Sequence, residues 1–473
     1  MRRVLACVLA LALSGCMVGP DYRRPAVKAP DGWRFENKEA RDVANTLWWR
    51  QFGDPVLSGL IETALRENKD VHIAAARVEQ FMGRVAVARS AQFPQVTGAV
   101  VPLRRESTKY VNPPWPSYAK NPYSDYQTYL TASWQIDLWG QLRRASEAAR
   151  ADLLATQEAK RGVILTVVAA VASAYADLLD LDKQLDIAER TATSRDDTLK
   201  LFQLRFDRGL ISELELRQAE SEYQSAQATV PLLKKLIGQQ EDAISVLLGR
   251  NPGPIPRGGS FDRLALPAVP AGLPSELLER RPDIRQAEQN LVAANARIGV
   301  AKAQYFPNVS LTGLFGFEST SLSNLFSGPA RTWNYAAPVV APIFTAGAIS
   351  GTVRIAEGVR SEMLARYQQS IQQAFREVED GLIDQAKSRE QLSAQSKQVE
   401  ALEAYARLAR LRHDNGYTSY IEVLDAERSL FNAQLSYAQT QAVLMRALIN
   451  LYRSMGGGWV VEAENIASPA SQQ

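Results

Sequence analysis

Three carboxylates that follow shortly after a glycine are the side chains in this chain best suited to do chemistry. Glu215 lies six residues after Gly209. Glu422 lies six residues after Gly416, and Asp425 follows three positions later. Glu422 and Asp425 therefore share one face of a helix beside the turn. Carboxylates at such places attract cations or cap the start of a helix, and both roles remain open at this point.

Catalysis finds no support among the remaining residues. His72 and His413 are the only two histidines. Neither has a cysteine partner or a cluster with metal-ligand spacing, so neither a metal site nor a Ser-His-Asp triad can be argued. No phosphate-cradling glycine loop follows a strand. We therefore expect a protein that is not an enzyme and has no cofactor, with any energy for transport supplied by a partner.

The first sixteen residues, MRRVLACVLALALSGC, have the order of a bacterial export signal. Arg2 and Arg3 form a basic start, and Val4–Leu13 form an apolar stretch that is too short to span a bilayer. Residues 13–16 (LSGC) resemble the lipobox of bacterial lipoproteins. That resemblance implies cleavage before Cys16 and a covalent lipid on it. The alternative is an ordinary signal with an accidental cysteine.

Removal of this leader would leave a nearly neutral chain. Loss of Arg2 and Arg3 lowers the formal net charge from +3 to +1, which gives no global field that favours nucleic acid. With Cys7 also removed, Cys16 is the one remaining cysteine, so no internal disulfide can form. Met17 stands where an aspartate would resemble an inner-membrane retention signal, which indicates the outer membrane.

The sequence contains an internal duplication. Asn68–Val96 aligns with Arg281–Val309 at an offset of 213, and Arg205–Gln227 aligns with Arg412–Gln434 at an offset of 207. Copies of roughly 200 residues are too long for solenoid units. They indicate a duplicated unit that builds pseudo-symmetry into one subunit. The matched pairs include Asp70/Asp283, Phe93/Phe306, Gly209/Gly416, Ser212/Ser419 and Glu215/Glu422.

The repeats and the prolines predict the layout of the chain. Proline is absent between Pro122 and Pro231 and between Pro342 and Pro469. Because proline disrupts helix interiors, these gaps are the places for very long helices. Apolar residues recur there at coiled-coil spacing, and a helix over 141–208 would be about 100 Å long. The predicted segments are a signal peptide (1–15), a lipidated tether (16–54), the first repeat (55–250), a Pro/Gly linker (251–274), the second repeat (275–456) and a tail (457–473).

Each long helix is predicted to turn back at a glycine. Gly209 and Gly416 suit a helix stop in the left-handed conformation. Ser212 and Ser419 follow at N-cap distance, with a glutamate three residues further on in each copy, which is the spacing of a capping box. Each repeat therefore contains a helical hairpin.

The apolar stretch Val163–Ala176 lies within one of the predicted long helices. It has 14 residues, among them Thr166, Ser173 and Tyr175. This is short for a membrane-spanning helix. We therefore predict a buried helix face.

Four stretches alternate between polar and apolar residues: Val96–Leu103, Tyr126–Asp137, Val309–Phe317 and Trp333–Ile343. Their lengths match tilted membrane strands of about 9–11 residues, although soluble sheets show the same alternation. Their position, two per repeat between long helices, favours the membrane. Four strands are too few for a membrane barrel, which has at least about 8, and an open sheet in lipid leaves backbone groups unsatisfied. Several copies must therefore assemble, with two giving 8 strands and three giving 12.

Several further segments carry a family resemblance: CMVGPDY at 16–22, WW at 48–49, FGDP at 52–55, WQIDLWG at 134–140, RPDI at 281–284 and GYTSYIEVLDA at 416–426. With them, nearly the whole mature chain resembles the TolC-type outer membrane efflux family, in particular its lipoprotein branch. The resemblance implies a mixed α/β membrane protein with four membrane β-strands and long coiled-coil helical hairpins per chain. It implies a homotrimer that forms a 12-stranded β-barrel on a 12-helix periplasmic α-barrel.

The family also implies a function. The expected protein is a passive exit duct in the outer membrane, lipid-anchored and extending into the periplasm. It would carry small molecules such as drugs or other toxic compounds from an inner-membrane pump through a periplasmic adaptor, with no role in nucleic-acid binding. Two alternatives stay open, namely a structural periplasmic coiled-coil lipoprotein and the same fold serving type I protein secretion.

In this family the periplasmic tip closes with acidic and polar residues just beyond the hairpin turns. By resemblance, these gate positions are Asp425, Glu422 and Glu215. Around a three-fold axis, Glu422 and Asp425 would form a ring of six carboxylates that attracts cations, although capping alone also explains Glu215 and Glu422. The family's tyrosine and arginine gate partners fall on His413 and Thr418, so the latch lacks its usual side chains.

Overall fold

The computed structural model describes residues 17–27, 29–30, 32–34, 47–108, 110, 120–259, 261, 276–456 and 459–467. Cys16 lies outside them. The α-helices are α1 (Pro55–Glu67), α2 (Lys69–Ser90), α3 (Gln141–Asp207), α4 (Glu213–Leu247), α5 (Leu277–Arg280), α6 (Pro282–Ala303), α7 (Ala348–Asp414), α8 (Tyr420–Met455) and α9 (Trp459–Ala467). The strands are β1 (Gln95–Arg105), β2 (Tyr123–Ile136), β3 (Asn308–Ser319), β4 (Arg331–Ala336) and β5 (Val339–Val340).

The duplication is visible in the lengths of the helices. Helices α3 and α7 each have 67 residues, and both their first and their last residues are 207 positions apart. Helices α2 and α6 each have 22 residues, with an offset of 213 at both ends. The two long helices and the return helices α4 and α8 confirm the predicted pair of helical hairpins.

The strands form one antiparallel sheet in the order β1-β2-β3-β4, with β5 also paired to β3. Strand β1 pairs with β2 from the same repeat, as in Gln95↔Ser133. Strand β2 pairs with β3 from the other repeat, as in Tyr126↔Ser319. The sheet therefore joins the two copies and leaves β1 and β4 as its edges among the described residues.

The prediction of one continuous strand over Trp333–Ile343 is wrong. Its two halves are β4 and β5, which are separated at Ala337 and Pro338. Proline has no N–H to donate to a ladder, and the carbonyl of Pro338 instead accepts a bond from the Ser310 N–H at 3.2 Å. The other three stretches are strands, each longer than predicted at one end or both.

The chain folds into two compact units, and each is built from both repeats. One comprises the described parts of residues 1–26, 78–156 and 287–367 and contains the sheet. The other comprises the described parts of 27–77, 157–286 and 368–473 and contains both hairpin turns. In this second unit Trp48 stacks on Tyr452 with ring centroids 5.1 Å apart and meets Trp459 edge-on, which ties α8 and α9 to the start of the fold.

The apolar stretch Val163–Ala176 is a buried helix face, as predicted. Among the described residues one helix, α3, is long and apolar enough over part of its length to cross a membrane by composition alone, but 61% of that part is buried inside the protein. Ile164, Val168 and Tyr175 have no exposed surface. This stretch therefore belongs to the core of the second unit.

One proline departs from the expectation that prolines lie outside helix interiors. Pro231 lies inside α4, which continues for more than a dozen residues beyond it. Pro231 is exposed, so water can bond the backbone carbonyl that its missing N–H leaves without a donor.

Both hairpin turns use the predicted glycines. Gly209 and Gly416 adopt the left-handed conformation, with φ of 67° and 79°. The N–H of Gly209 donates to the carbonyl of Phe206 at 2.8 Å, and the N–H of Leu210 reaches the carbonyl of Arg205 at 2.9 Å. The same pair of bonds recurs at Gly416, so both helices end in a Schellman motif.

The starts of the two return helices differ. In the first hairpin the predicted capping box is present, because Ser212 Oγ accepts from the Glu215 N–H at 3.3 Å and Glu215 accepts from the Ser212 N–H at 2.9 Å. In the second hairpin the prediction is wrong, because Ser419 has N-cap backbone geometry but its side chain makes no capping hydrogen bond. The carboxylate of Glu422 bonds the Thr418 hydroxyl instead, and the equivalent position in the first hairpin, Ile211, has no hydroxyl to offer.

This difference predicts unequal effects of one substitution in the two hairpins. Ser212→Ala removes a cap and should destabilise the first turn of α4 by about 1 kcal/mol, which is about a fivefold faster amide exchange there. Ser419→Ala removes no cap bond and should leave exchange in the first turn of α8 nearly unchanged. Hydrogen exchange read by mass spectrometry measures both, and equal effects of the two variants would contradict the assignment.

Candidate functional site at the hairpin tips

The carboxylate predicted in the first hairpin, Glu215, serves as a helix cap. Its Oε2 lies 2.9 Å from the Ser212 N–H nitrogen and 3.0 Å from Ser212 Oγ. A carboxylate in this position also complements the positive end of the helix dipole. Capping therefore accounts for Glu215 without any further role.

Glu422 in the second hairpin is half-buried and tied to side chains of its own hairpin. It accepts the Thr418 hydroxyl, and its Oε1 lies 3.5 Å from the guanidinium of Arg412. The structure thus brings Glu422 and Thr418 together, as well as an arginine that the sequence analysis did not single out. Neither contact links the two hairpins.

His413 is a half-buried residue in the last turn of α7, just before the second hairpin turn. Its Nδ1 is 3.3 Å from the carbonyl oxygen of Thr418. Its ring is 5.5 Å from that of Tyr420 and 6.3 Å from that of Phe202, which belongs to the first hairpin. His413 therefore packs as an aromatic group between the hairpins, where Tyr420 is buried and burial raises its pKa to about 12.

Asp425 differs from the other predicted carboxylates because it is exposed and makes no hydrogen bond to the described residues. It lies one helical turn after Glu422 on α8. Arg428 follows three residues later, and the pKa of its guanidinium is raised, first by its hydrogen bond to Glu222 and to a smaller extent by the charge of Asp425. Asp425 is thus the carboxylate that is available to an ion.

A buried carboxylate between the two hairpins escaped the sequence analysis. Glu222 on α4 has 8% of its side chain exposed, and Arg195 on α3 has 6%. One oxygen of Glu222 lies 3.1 Å from Arg195, and the other accepts from Arg428 Nε on α8 at 2.6 Å. Arg195 also lies over the ring of Phe431, 5.5 Å from its centroid. These contacts join α3 and α4 to α8.

A second ionic link lies nearby. Arg410 on α7 bonds Glu427 on α8 at 2.6 Å and the hydroxyl of Thr198 on α3 at 3.1 Å. Arg410 therefore links α8 of its own hairpin to α3 of the first hairpin. The repeat could not have revealed either link, because Gln203 and Ser221 stand at the positions equivalent to Arg410 and Arg428.

An apolar cluster lies between the tips of the two hairpins. Its fully buried members come from all four helices: Phe202, Leu216, Ala219, Ala409, Tyr420, Val423, Leu424 and Ala426. The charged links described above therefore border a packed interface, where a buried ion pair is desolvated on at least one side. No group of three or more metal-ligating side chains suited to a metal ion occurs among the described residues.

Antiparallel β-strands combined with two duplicated long helical hairpins are typical of outer-membrane channels that join a β-barrel to a helical barrel. The model of the outer membrane efflux protein family matches residues 60–250 and 273–457. The chain belongs to this family, and it is an outer-membrane channel of an efflux system. The predicted fold class and the outer-membrane location are confirmed, which sets aside the structural-lipoprotein alternative.

The matches to known relatives extend over nearly the full length of both chains. The solvent efflux pump outer membrane protein SrpC of Pseudomonas putida is 37% identical over 459 residues, which cover 95% of this chain and 97% of the relative. The cation efflux system protein CusC of Escherichia coli is 33% identical, with 97% and 99% covered. The open-state crystal structure of the Neisseria gonorrhoeae MtrE outer membrane channel superposes with a TM-score of 0.84 at 30% identity, over 94% of this chain and 98% of that one.

The buried carboxylate generates a prediction about the tips. Glu222→Gln removes the charge that neutralises Arg195 and Arg428, and removal of one partner from a buried pair typically costs about 3–5 kcal/mol. Amides in the tip segments of α3, α4 and α8 should therefore exchange at least tenfold faster. Glu220→Gln is the matched control, because Glu220 has 43% of its side chain exposed and pairs with Arg217 on its own helix. Unchanged exchange in Glu222→Gln would show that this ion pair does not hold the hairpins together.

Proposed function

We propose that this chain is the passive exit duct of a tripartite efflux system. In this proposal three copies form the duct, an inner-membrane pump supplies the energy, and a periplasmic adaptor joins the two. The single observation that carries it is the near-complete match, over 95% of the chain, to a solvent efflux pump outer membrane protein. The duct itself catalyses nothing and carries no bound cofactor.

The open sheet supports assembly into a trimer. Its order β1-β2-β3-β4 leaves an edge on β1 and another on β4. Unpaired backbone groups at such edges are too costly inside a bilayer, so a spanning sheet has to close. Three copies with four strand positions each would give 12 strands, which lies within the range of known membrane barrels.

The segment after Cys16 supports a lipid anchor beside the sheet. The N–H of Val18 donates to the carbonyl of Trp139 at 3.1 Å, just beyond the end of β2. Asn295 bonds the carbonyl of Pro20 at 2.8 Å, and Asp21 pairs with Arg144 at 2.7 Å. A chain held in this way would present acyl groups on Cys16 close to the membrane strands.

Small toxic compounds are the cargo that we propose. The relatives' names include solvent, toluene and antibiotic efflux pumps, and one cation efflux system. In a tripartite system the pump selects the cargo, so the duct needs only a path wide enough for it. This cargo distinguishes the proposal from protein secretion through the same fold.

For the gate we propose Asp425 as the principal carboxylate, with Glu422 behind it. Asp425 is exposed, whereas Glu422 is engaged by Thr418 and Arg412. Three copies would bring the carboxylates within a Debye length of about 8–10 Å of one another, so their fields would add. Thr418 and His413 act within the second hairpin and hold Glu422 and the turn in place. The links between hairpins come from Arg428 and Arg410 instead.

The lipid anchor is tested by metabolic labelling with palmitate. Cys16→Ser should abolish the label, because the acylated atoms are lost. Each buried CH₂ of an acyl chain contributes about 0.8 kcal/mol, so outer-membrane localisation should fall, although the sheet can still insert and keep part of it. Cys7→Ser is the control, since Cys7 is removed with the leader. Normal labelling of the Cys16 variant would contradict the lipoprotein proposal.

The gate is tested by planar-bilayer recording. Glu422→Gln with Asp425→Asn should move the cation-to-anion permeability ratio towards unity and weaken block by divalent cations or polyamines added from the periplasmic side. The oligomer should remain nearly as stable, because Asp425 is exposed and glutamine at position 422 can still accept the Thr418 hydroxyl.

The matched control for the gate is Asp242→Asn. Asp242 is exposed on α4, about 43 Å along the helix from its first residue at 1.5 Å per residue. It loses the same charge far from the tip and should leave selectivity unchanged. Unaltered ion selectivity in the double variant would contradict the gate role of Glu422 and Asp425 and leave them only as capping or surface residues.

A further inference from the structure

One face of the sheet is mainly apolar and the other is mainly polar. The register places Gly98, Leu130, Phe315 and Trp333 in one row across β1, β2, β3 and β4. The three large side chains of this row are more than half exposed. The opposite face carries mainly polar side chains, among them Thr97, Thr131, Ser133, Ser310 and Thr312. In the duct proposed above, the apolar face is therefore the one that contacts lipid.

The apolar face contains a notch with a volume of about 280 Å³, which we name the outer notch. Gly98 leaves room for it, since a β-carbon at this position would lie only 3.3 Å from Leu130 Cδ2. Phe326, from the connection between β3 and β4, meets Phe317 edge-on with ring centroids 5.6 Å apart. The main lining residues of the outer notch are Gly98, Val100, Leu130, Phe315, Phe317 and Phe326.

The outer notch extends from the middle of the sheet towards the end that is remote from the long helices. Helices α2, α3, α6 and α7 all adjoin the other end of the sheet. The connection over 320–330 is held by backbone bonds, such as that from the Ser327 N–H to the Asn324 carbonyl at 3.1 Å. Within it Leu325 is buried, whereas Phe326 is 73% exposed. With the helices in the periplasm, the outer notch opens into the outer leaflet of the membrane.

Two arginines lie at this end of the sheet on the same apolar face. Arg331, the first residue of β4, aligns with Phe317 of the outer notch. Arg104 lies four positions after Val100 on β1, on the same face by alternation and about 13 Å further along the strand. Both arginines are exposed, and neither has an ion-pair or hydrogen-bond partner among the described residues. These two charges therefore require a partner from outside the chain.

Nearby carboxylates do not supply that partner. Asp125 aligns with Leu103, and therefore lies on the opposite face of the sheet. Glu318 aligns with Gln127 on that same opposite face. Glu106 follows the end of β1 and forms no ion pair with either arginine in the part of the chain that the structure describes. Because an unpaired charge on a lipid-facing surface is costly, an anionic group of the membrane is the natural partner.

We propose that the outer notch and the two arginines bind a diphosphorylated lipid of the outer leaflet that carries several acyl chains. One acyl chain lies in the notch against Phe326, and the phosphates accept hydrogen bonds from Arg104 and Arg331. Guanidinium groups suit this role because they bond phosphate in a bidentate manner. This inference rests on the outer-membrane duct proposed above, which places the apolar face in lipid.

The separation of the arginines favours a headgroup with two phosphates. Arg331 and Arg104 lie on the two edge strands of the sheet, β4 and β1. Three strand spacings across the sheet and four residues along it place their Cα atoms about 20 Å apart. A lipid with a single phosphate would engage one arginine and leave the other without an anionic partner.

Native mass spectrometry of the full-length protein in detergent tests the site, with lipid A as the probe. Arg104→Gln with Arg331→Gln should weaken lipid A binding by about tenfold or more, because charge-assisted hydrogen bonds are lost. Lipid A without its phosphates should bind the original protein and the double variant equally weakly. Phosphatidylglycerol, which has one phosphate and two acyl chains, should bind the original protein less tightly than lipid A does.

The matched control is Arg105→Gln. Arg105 adjoins Arg104 at the end of β1, but alternation places it on the opposite face of the sheet. This variant loses the same charge at the same level and should bind lipid A as the original protein does. Phe326→Ser tests the notch itself and should weaken lipid A binding with both arginines intact. Phe326 is mostly exposed, so its loss leaves the packed core unchanged.

The outcomes separate this inference from the proposed function. Equal lipid A affinity in the original protein and the double arginine variant, or an equal loss in Arg105→Gln, would overturn the lipid site. Phosphatidylglycerol binding as tight as that of lipid A would overturn the assignment to a diphosphorylated lipid. The mass of the particle and its single-channel conductance report the duct, so either overturning result in a conducting trimer leaves the duct intact. An original protein that neither forms trimers nor conducts would overturn the duct itself.

Discussion

A helix of 67 residues has to bury one face along most of its length, and the arrangement of this chain follows from that requirement. Two such helices, α3 and α7, occupy equivalent places in the two repeats. Each is accompanied by its own return helix, but one return helix does not cover both sides of a long partner. The first long helix also packs against α8, where Gln439 donates to Gln184 at 3.3 Å. The proposed assembly would give the second long helix a further partner.

The two hairpin tips are equivalent parts of the two repeats, but their polar contacts differ. In the first hairpin, Glu215 forms a capping box at the start of the return helix. In the second hairpin, the equivalent Glu422 instead accepts the Thr418 hydroxyl and pairs with Arg412. Glu222, Arg195 and Arg428 then tie the hairpins together around a desolvated carboxylate. None of these residues has a charged counterpart in the other repeat, so the duplication does not produce this ionic link a second time.

The proposed gate and the proposed lipid anchor depend on different parts of this framework. Asp425 is available to ions because the charged residues around it are already paired. Glu422 pairs with Arg412, and Arg428 pairs with Glu222. The residues that follow Cys16 are fixed by backbone and side-chain bonds next to the last residues before α3. The proposed selectivity at the tip and the proposed lipid attachment therefore rest on separate sets of contacts, in separate compact units.

The sequence by itself determined the features that depend on local or periodic signals. Glycines able to adopt positive φ located both turns, long stretches without proline located α3, α7 and α8, and alternation located β1, β2 and β3. Helix α4 continues through Pro231, which this rule did not predict. The sequence did not determine the break at Pro338, because the effect of a proline on a ladder depends on which side of the strand is paired. Nor did it determine the Glu222 network, the pairing of Arg410 with Glu427 or the failed cap at Ser419. Those contacts join residues that are distant in sequence, and only the packing of four helices against one another decides which charge meets which.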